Sequence, residues 1–237
     1  MESTEKLFGR VFKNYDAWFK KDPAYMALVG FIAQRAAELK PARILDAGTG
    51  TGNLAEAILG KHTPEKYVGI DNTEEMIEKA RKKLSRFGFV EIENKRIQDL
   101  DADAEFDCIV SNYALHHLTH EEKEQFCRQA YRALTDNGTL IYGDVFINKM
   151  GDVDDPERAK DVLEIFNHRA AYYMEHVGFE RAIFEVEHIP YCLREEREFH
   201  ATPEFWKGKL LAAGFNDVEV HQPCKEMPCD RAIIAVK

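Results

Sequence analysis

The chain has 237 residues, 45% of them hydrophobic and 31% charged, enough apolar content to bury the core of a full-sized domain and unlike a disordered or disulfide-stapled chain. Its formal net charge of -10 speaks against a broad footprint on nucleic acid or an anionic membrane, since both are held by clustered Lys and Arg. Five scattered cysteines (Cys108, Cys127, Cys192, Cys224 and Cys229) fit reduced thiols, and an N-terminus with neither a basic start nor an apolar run predicts a cytoplasmic protein without signal peptide or membrane span.

Apolar residues at helical spacing predict two helices over residues 7–39, from Leu7, Val11, Tyr15, Trp18 and Phe19, then from Met26, Val29, Ile32 and Ala36, with Pro23 opening the second. Residues 42–46 form a first strand that breaks into Gly48, Gly50 and Gly52. Leu54, Ala55, Ile58 and Leu59 predict a short helix, and residues 67–71 a second strand ending in Asp71. Thr73 is an N-cap candidate for a helix over 73–87, with Glu74 and Glu75 in its first turn and Met76, Ile77, Ala80 and Leu84 on its apolar face. Strands follow over 90–97 and 106–110, then a helix over 121–134, a turn at Asp136, Asn137 and Gly138, and a strand over 139–146.

Residues 148–201 interrupt this alternation. Val162, Ile165, Phe166, Arg169, Tyr173 and Val177 predict a helix there, and a charged segment follows over 179–199. A structureless loop of that length is improbable in a compact domain, so the stretch reads as a helical insertion, a substrate lid or a dimer arm. Thr202 and Pro203 then start a last helix that Gly214 ends, and strands at 218–220 and 232–236 close the chain as an antiparallel pair. Five β-α units plus this pair predict an α/β fold with a largely parallel sheet and helices on both faces. The expected division is one domain over 1–237: cap helices at 1–40, a cofactor-binding core at 41–147, the insertion at 148–201, and the last helix and strand pair at 202–237.

Three glycines at alternate positions after a strand suit a loop whose backbone approaches a ligand. Their spacing differs from the dinucleotide fingerprint G-x-G-x-x-G, and Asp46 ahead of them would repel a diphosphate and attract an ammonium group. Asp46-x-Gly48-x-Gly50-x-Gly52, Asp71 and the segment Gln98-Asp99-Leu100 together resemble the class I S-adenosylmethionine-dependent methyltransferases. The resemblance implies a Rossmann-like seven-stranded sheet and, as cofactor, S-adenosylmethionine, leaving S-adenosylhomocysteine. It implies that Asp46, Ala47, Gly48, Thr49, Gly50 and Gly52 pass under the amino-acid part and that Asp71 and Asn72 serve the ribose. Met76, Gln98, Asp99 and Leu100 would serve the adenine, and Asn112 and Tyr113 would lie nearest the methionine moiety.

His116 and His117 are candidates for a base or a substrate orienter, because imidazole titrates near neutral pH. Tyr15 resembles the family residue that lies by the active site, where its aromatic face suits a sulfonium. No third ligand at a recognisable spacing accompanies the two histidines, and Cys224 with Cys229 is no zinc motif, so no metal is expected. Arg169, Arg181, Arg194, Arg197, Tyr172 and Tyr173 are the insertion's candidates for reading the substrate. The expected activity is methyl transfer to an O, N, S or C atom of a small molecule, by a monomer or homodimer with no nucleic-acid partner. The alternatives are a carboxy-S-adenosylmethionine synthase, a non-catalytic cofactor-binding protein and, on the glycine loop alone, a nicotinamide-dependent oxidoreductase.

Overall fold

The computed structural model describes residues 16–237. Seven strands form one sheet in the order β3-β2-β1-β4-β5-β7-β6. The strands are β1 (Arg43–Ala47), β2 (Lys66–Asp71), β3 (Val90–Asn94), β4 (Phe106–Asn112), β5 (Leu134–Val145), β6 (Asp217–His221) and β7 (Asp230–Val236). The first five are mutually parallel and β7 runs antiparallel to both β5 and β6. The strand order reverses at β1, between β2 and β4, and such a switch point opens a crevice beyond the carboxyl ends of the strands.

Helix α1 (Pro23–Leu39) starts at Asp22, whose carboxylate accepts from the amides of Ala24 and Tyr25. With α2 (Asn53–Leu59) and α3 (Glu74–Leu84) it covers one face of the sheet through Leu28, Ile32, Ile58 and Leu84. The other face is covered by α4 (His120–Ala133) and α7 (Pro203–Ala213), which bury Phe126, Ala130, Trp206 and Leu210 against Leu140 and Tyr142. The insertion after β5 is indeed helical, as α5 (Pro156–His176) and α6 (Phe179–Arg194), and forms a third cluster around Val162, Phe166, Tyr173 and Cys192.

Three boundaries differ from the sequence reading. β3 stops at Asn94, the last residue paired with β2, and Ile97–Asp99 turn into a short 3-10 helix instead of extending the strand. α3 ends at Leu84, the last residue of its buried stripe. The expected turn at Asp136–Gly138 lies inside β5: between Phe106 and Cys108 a step of two residues along β4 matches a step of five along β5, and Asn137 takes a left-handed conformation at φ 62°. The five cysteines are free and buried, and no helix among the described residues is long and apolar enough to cross a membrane.

Candidate active site

A cavity of about 810 Å³ lies at the carboxyl ends of β1, β2 and β4, roofed by the insertion. Its floor is the glycine loop. Gly48, Gly50 and Gly52 all have positive φ, at 79°, 54° and 80°, and the amides of Gly48 and Thr49 both donate to the Ile70 carbonyl at 2.9 Å, curling the loop tightly against β2. A side chain on Gly50 would meet nothing within 4 Å among the described residues, so the bare backbone there leaves room for a ligand. Asp71 is aimed by two backbone amides: Gly50 donates to Oδ2 and Thr73 to Oδ1, each at 2.9 Å. A carboxylate has about four acceptor sites, so two remain for a diol.

Asp46 is fully buried below the loop, where Thr49 and Tyr67 donate their hydroxyls to its Oδ2 at 2.8 and 2.9 Å. Burial outweighs these bonds and raises its carboxyl to about 6. The Oδ1 of Asn112, also lining the cavity, is buried with no hydrogen-bond partner among the described residues. Such an acceptor is costly unless a donor completes it. Asp16 accepts from the Thr51 hydroxyl at 2.6 Å and pairs with Lys83 at 2.9 Å, which ties the chain just before α1 to the glycine loop. Tyr15 lies outside the described residues.

Of the residues singled out in the sequence, Asp46, Gly48, Thr49, Gly50, Asp71, Asn72, Met76, Gln98, Asn112, Tyr113, His116 and His117 line this one cavity. Ala47, Gly52, Asp99 and Leu100 do not. Ala47 and Leu100 are buried in the core, and Gly52 packs beneath the loop against Leu84. Asp99 is half exposed and turned away: Arg96, three residues earlier, grips both its carboxylate oxygens at 2.8 Å. Its neighbour Gln98 is the member of that segment that faces the cavity.

The opposite wall belongs to the insertion. Arg169 donates to Glu185 at 3.1 Å and to the Tyr173 hydroxyl at 2.9 Å, and it pairs with Asp230 at the start of β7. Asp230 also takes the hydroxyl of Tyr113, a residue in the left-handed region at φ 50° just past β4. Arg181 pairs with Glu185 at 2.5 Å and stacks over Tyr173 at 4.0 Å. Although Glu185 is buried, the two guanidiniums hold its carboxyl down at about 2. Nη1 of Arg181 is buried without a partner among the described residues. Arg169, Arg181 and Arg197 line the cavity as anticipated, whereas Arg194, Tyr172 and Tyr173 do not.

His116 is held by Asp144, which accepts from its Nδ1 at 2.6 Å and from its backbone amide at 3.0 Å. Burial pushes its imidazole down to about 3, so at neutral pH the ring is uncharged and a poor proton acceptor, which weakens the expectation of a general base. His117 is half exposed and donates from Nδ1 to the Arg197 carbonyl at 3.0 Å. Sequence reasoning missed Glu198, His188 and His200, which complete this corner of the cavity.

Carboxylates and an amide oxygen at the glycine end, with no guanidinium cluster there among the described residues, make an acceptor set for a cationic amino-acid and nucleoside ligand and a poor one for a diphosphate. Comparison with known proteins agrees. Residues 44–138, from β1 into β5, match a family model described as a methyltransferase domain. Residues 44–138 thus carry a methyltransferase domain of the S-adenosylmethionine-dependent kind. An uncharacterized methyltransferase of Oceanobacillus iheyensis is 32% identical over 137 residues, covering 58% of this chain and 56% of that protein, so the chain spans little more than half of that relative. The carboxy-S-adenosyl-L-methionine synthase of Campylobacter hominis is 28% identical over 197 residues, 81% of this chain and 77% of the synthase. Among solved structures, the S-adenosylmethionine-dependent methyltransferase SibL shares the fold, with a TM-score of 0.64 at 20% identity over all of this chain and 60% of SibL. The family's cofactor, S-adenosylmethionine, suits the unpartnered Asn112 oxygen and the open space over Gly50.

Proposed function

We propose that this methyltransferase moves a methyl group from S-adenosylmethionine to a small-molecule acceptor bearing an anionic or carbonyl oxygen. The observation that carries the reading is the single cavity with two chemically distinct ends, an acceptor-lined floor at Asp46, Asp71 and Asn112 and a guanidinium wall at Arg181. Its volume of about 810 Å³ suits a nucleoside cofactor with a small second ligand. The cofactor supplies an already activated methyl carbon on a sulfonium. In this reading Asp71 takes the ribose diol, the Asn112 oxygen and Asp46 face the ammonium group, Gly48, Thr49 and Gly50 leave backbone room for the amino-acid part, and Met76, Asn72 and Gln98 flank the nucleoside. Tyr113 and His116 border the methyl end. The partner-free Nη1 of Arg181 holds the acceptor's oxygen and turns its reacting atom toward the cofactor, so that alignment in a closed site supplies much of the rate.

Calorimetric titration with S-adenosylmethionine and S-adenosylhomocysteine tests the cofactor, and absence of binding below millimolar would sink the reading. A labelled-methyl screen over small carboxylic, hydroxy and keto acids tests the acceptor, with label expected only in molecules that carry such an oxygen. A second reading, synthesis of a carboxylated cofactor, is favoured by the long match to the Campylobacter hominis synthase. It puts the same Arg181 nitrogen on a cofactor carboxylate, and mass spectrometry of the co-purified nucleoside separates the two.

A further inference from the structure

The geometry points to a zinc site made by the thiolate of Cys192, the carboxylate of Glu198 and Nε2 of His200, with its fourth position open to the cavity. The Cys192 thiol, a Glu198 carboxylate oxygen and a His200 ring nitrogen all lie within 4.8 Å of one another. The three residues are 1%, 5% and 4% exposed, and Glu198 and His200 line the cavity. His200 Nε2 stands 3.6 Å from Glu198 Oε2, beyond the reach of an N–H···O hydrogen bond of about 2.7–3.2 Å. Two ligand atoms about 2.0–2.3 Å from one zinc ion at the tetrahedral angle lie about 3.3–3.6 Å apart, so this spacing fits a shared ion.

His200 is set up as a ligand by its other nitrogen. Nδ1 lies 3.2 Å from the Val145 carbonyl, which can only accept, so Nδ1 carries the hydrogen and Nε2 presents a lone pair, the usual arrangement of a metal-binding imidazole. That Nε2 is buried with no hydrogen-bond partner among the described residues. Glu198 beside it pairs with no guanidinium or ammonium among the described residues; its ion-pair neighbours are all imidazoles. A buried lone pair facing a buried carboxylate is costly on both sides, and one divalent cation between them satisfies both.

The chain gathers the three ligands within a short stretch, as C-x5-E-x-H. Cys192 sits in the last turn of α6, and the backbone then reverses through Glu195 and Arg197, both left-handed, at φ 51° and 73°. Arg158 of α5 pins this corner, donating to the Cys192 and Leu193 carbonyls at 3.0 and 3.1 Å and pairing with Glu195 at 2.9 Å. Thiolate, imidazole and carboxylate are the ligands zinc takes, and three of them with one open position leave room for a cavity water or oxygen. The thiol proton passes to solvent as the sulfur–metal bond forms. The other set within reach, His116, His117 and Glu198, includes a half-exposed ring whose Nδ1 already donates to the Arg197 carbonyl, so the wholly buried set is favoured.

Metal loading is read without methyl donor or acceptor, so its failure leaves the proposed methyl transfer untouched. Full-length protein, stripped with chelator and kept reduced, is titrated anaerobically with Co²⁺. Tetrahedral d–d absorption is expected together with a near-ultraviolet thiolate-to-cobalt charge-transfer band, both saturating at one equivalent and displaced by Zn²⁺. Cys192→Ala should abolish the band. Loss of an outer partner alone costs metal sites about 10–100-fold, so His200→Gln, which removes a ligand, should weaken Co²⁺ binding at least ~100-fold. Cys224→Ser, whose thiol bonds Glu226 instead, and His117→Gln should keep both the band and the affinity. No charge-transfer band at one equivalent, a band surviving Cys192→Ala, or binding lost in His117→Gln would overturn the site. If the variants do not fold, X-ray absorption of the wild-type protein loaded with one equivalent of Zn²⁺ decides: one sulfur among nitrogen and oxygen neighbours is expected, and a shell without sulfur overturns the assignment.

Discussion

The two ends of the cavity are built by different means. At the glycine end the chain stays local: Asp46 to Gly52 form one loop, and Asp71 is oriented by two backbone amides. At the insertion end the closing contacts join side chains distant in sequence, as Arg169 with Asp230 and His116 with Glu198. A local, backbone-made floor tolerates loss of side chains around it and fixes one ligand. A wall of mutually neutralising buried charges depends on all its members, because removing one leaves another uncompensated.

The strongest way to break this contrast is Arg169→Ala, which leaves buried Asp230 without a guanidinium and Glu185 with Arg181 alone. It is expected to cost about 3–5 kcal/mol in urea unfolding, and a loss below 1 kcal/mol would mean the wall is not mutually dependent. Asp71→Ala should do the reverse, with a similar melting temperature but S-adenosylmethionine binding about 100-fold weaker by calorimetry, since a charged acceptor is removed from the ligand. Arg181→Met is expected to leave cofactor affinity within twofold while raising the acceptor KM about tenfold or more; an equal loss of both affinities would contradict separate ends. Gly50→Val places a β-branched side chain at φ 54° and in the open cavity, and should cost about 1–2 kcal/mol of stability while lowering cofactor affinity further than that strain accounts for.

The smallest effect sharpens the floor itself. The native carboxyl of Asp46 titrates at about 6, above the 3.8 of an ordinary Asp, so the folded state binds its proton more readily than the unfolded chain. Its contribution therefore rises as pH falls from 7 through 6 toward 4, by at most about 3 kcal/mol. Asp46→Asn should remove that part of the pH dependence and raise the melting temperature at pH 7. An unchanged pH profile in this variant would show that Asp46 is not the titrating group.

The same contrast explains what could be read from the sequence. Strands β1 to β5 and their helices follow from local periodicity, and the glycine loop is a contiguous pattern with Asp71 at the end of the very next strand, so both were legible. Asp99 misled because its spacing says nothing of Arg96, whose grip turns the acid to solvent and leaves Gln98 facing inward. The Asp136–Gly138 turn was legible as a turn, but only the pairing of Leu134 with Phe106 puts it inside β5. Glu198 and His200 sit in an irregular segment after α6, and no local rule joins them to His116 and His117. The one cue was their two-residue spacing, which puts both toward the cavity while the Phe199 amide between them donates to the His116 carbonyl at 2.7 Å.

Asp230 receives both the Tyr113 hydroxyl from beyond β4 and the Arg169 guanidinium from α5. The insertion is therefore no interchangeable cassette. Grafted onto another methyltransferase core, residues 148–201 would carry a buried guanidinium whose counter-charge stayed behind on the donor's last strand. New acceptor preferences in such chimeras are thus expected to require β7 to travel with the insertion, so that the unit of substrate specificity is discontinuous in the chain.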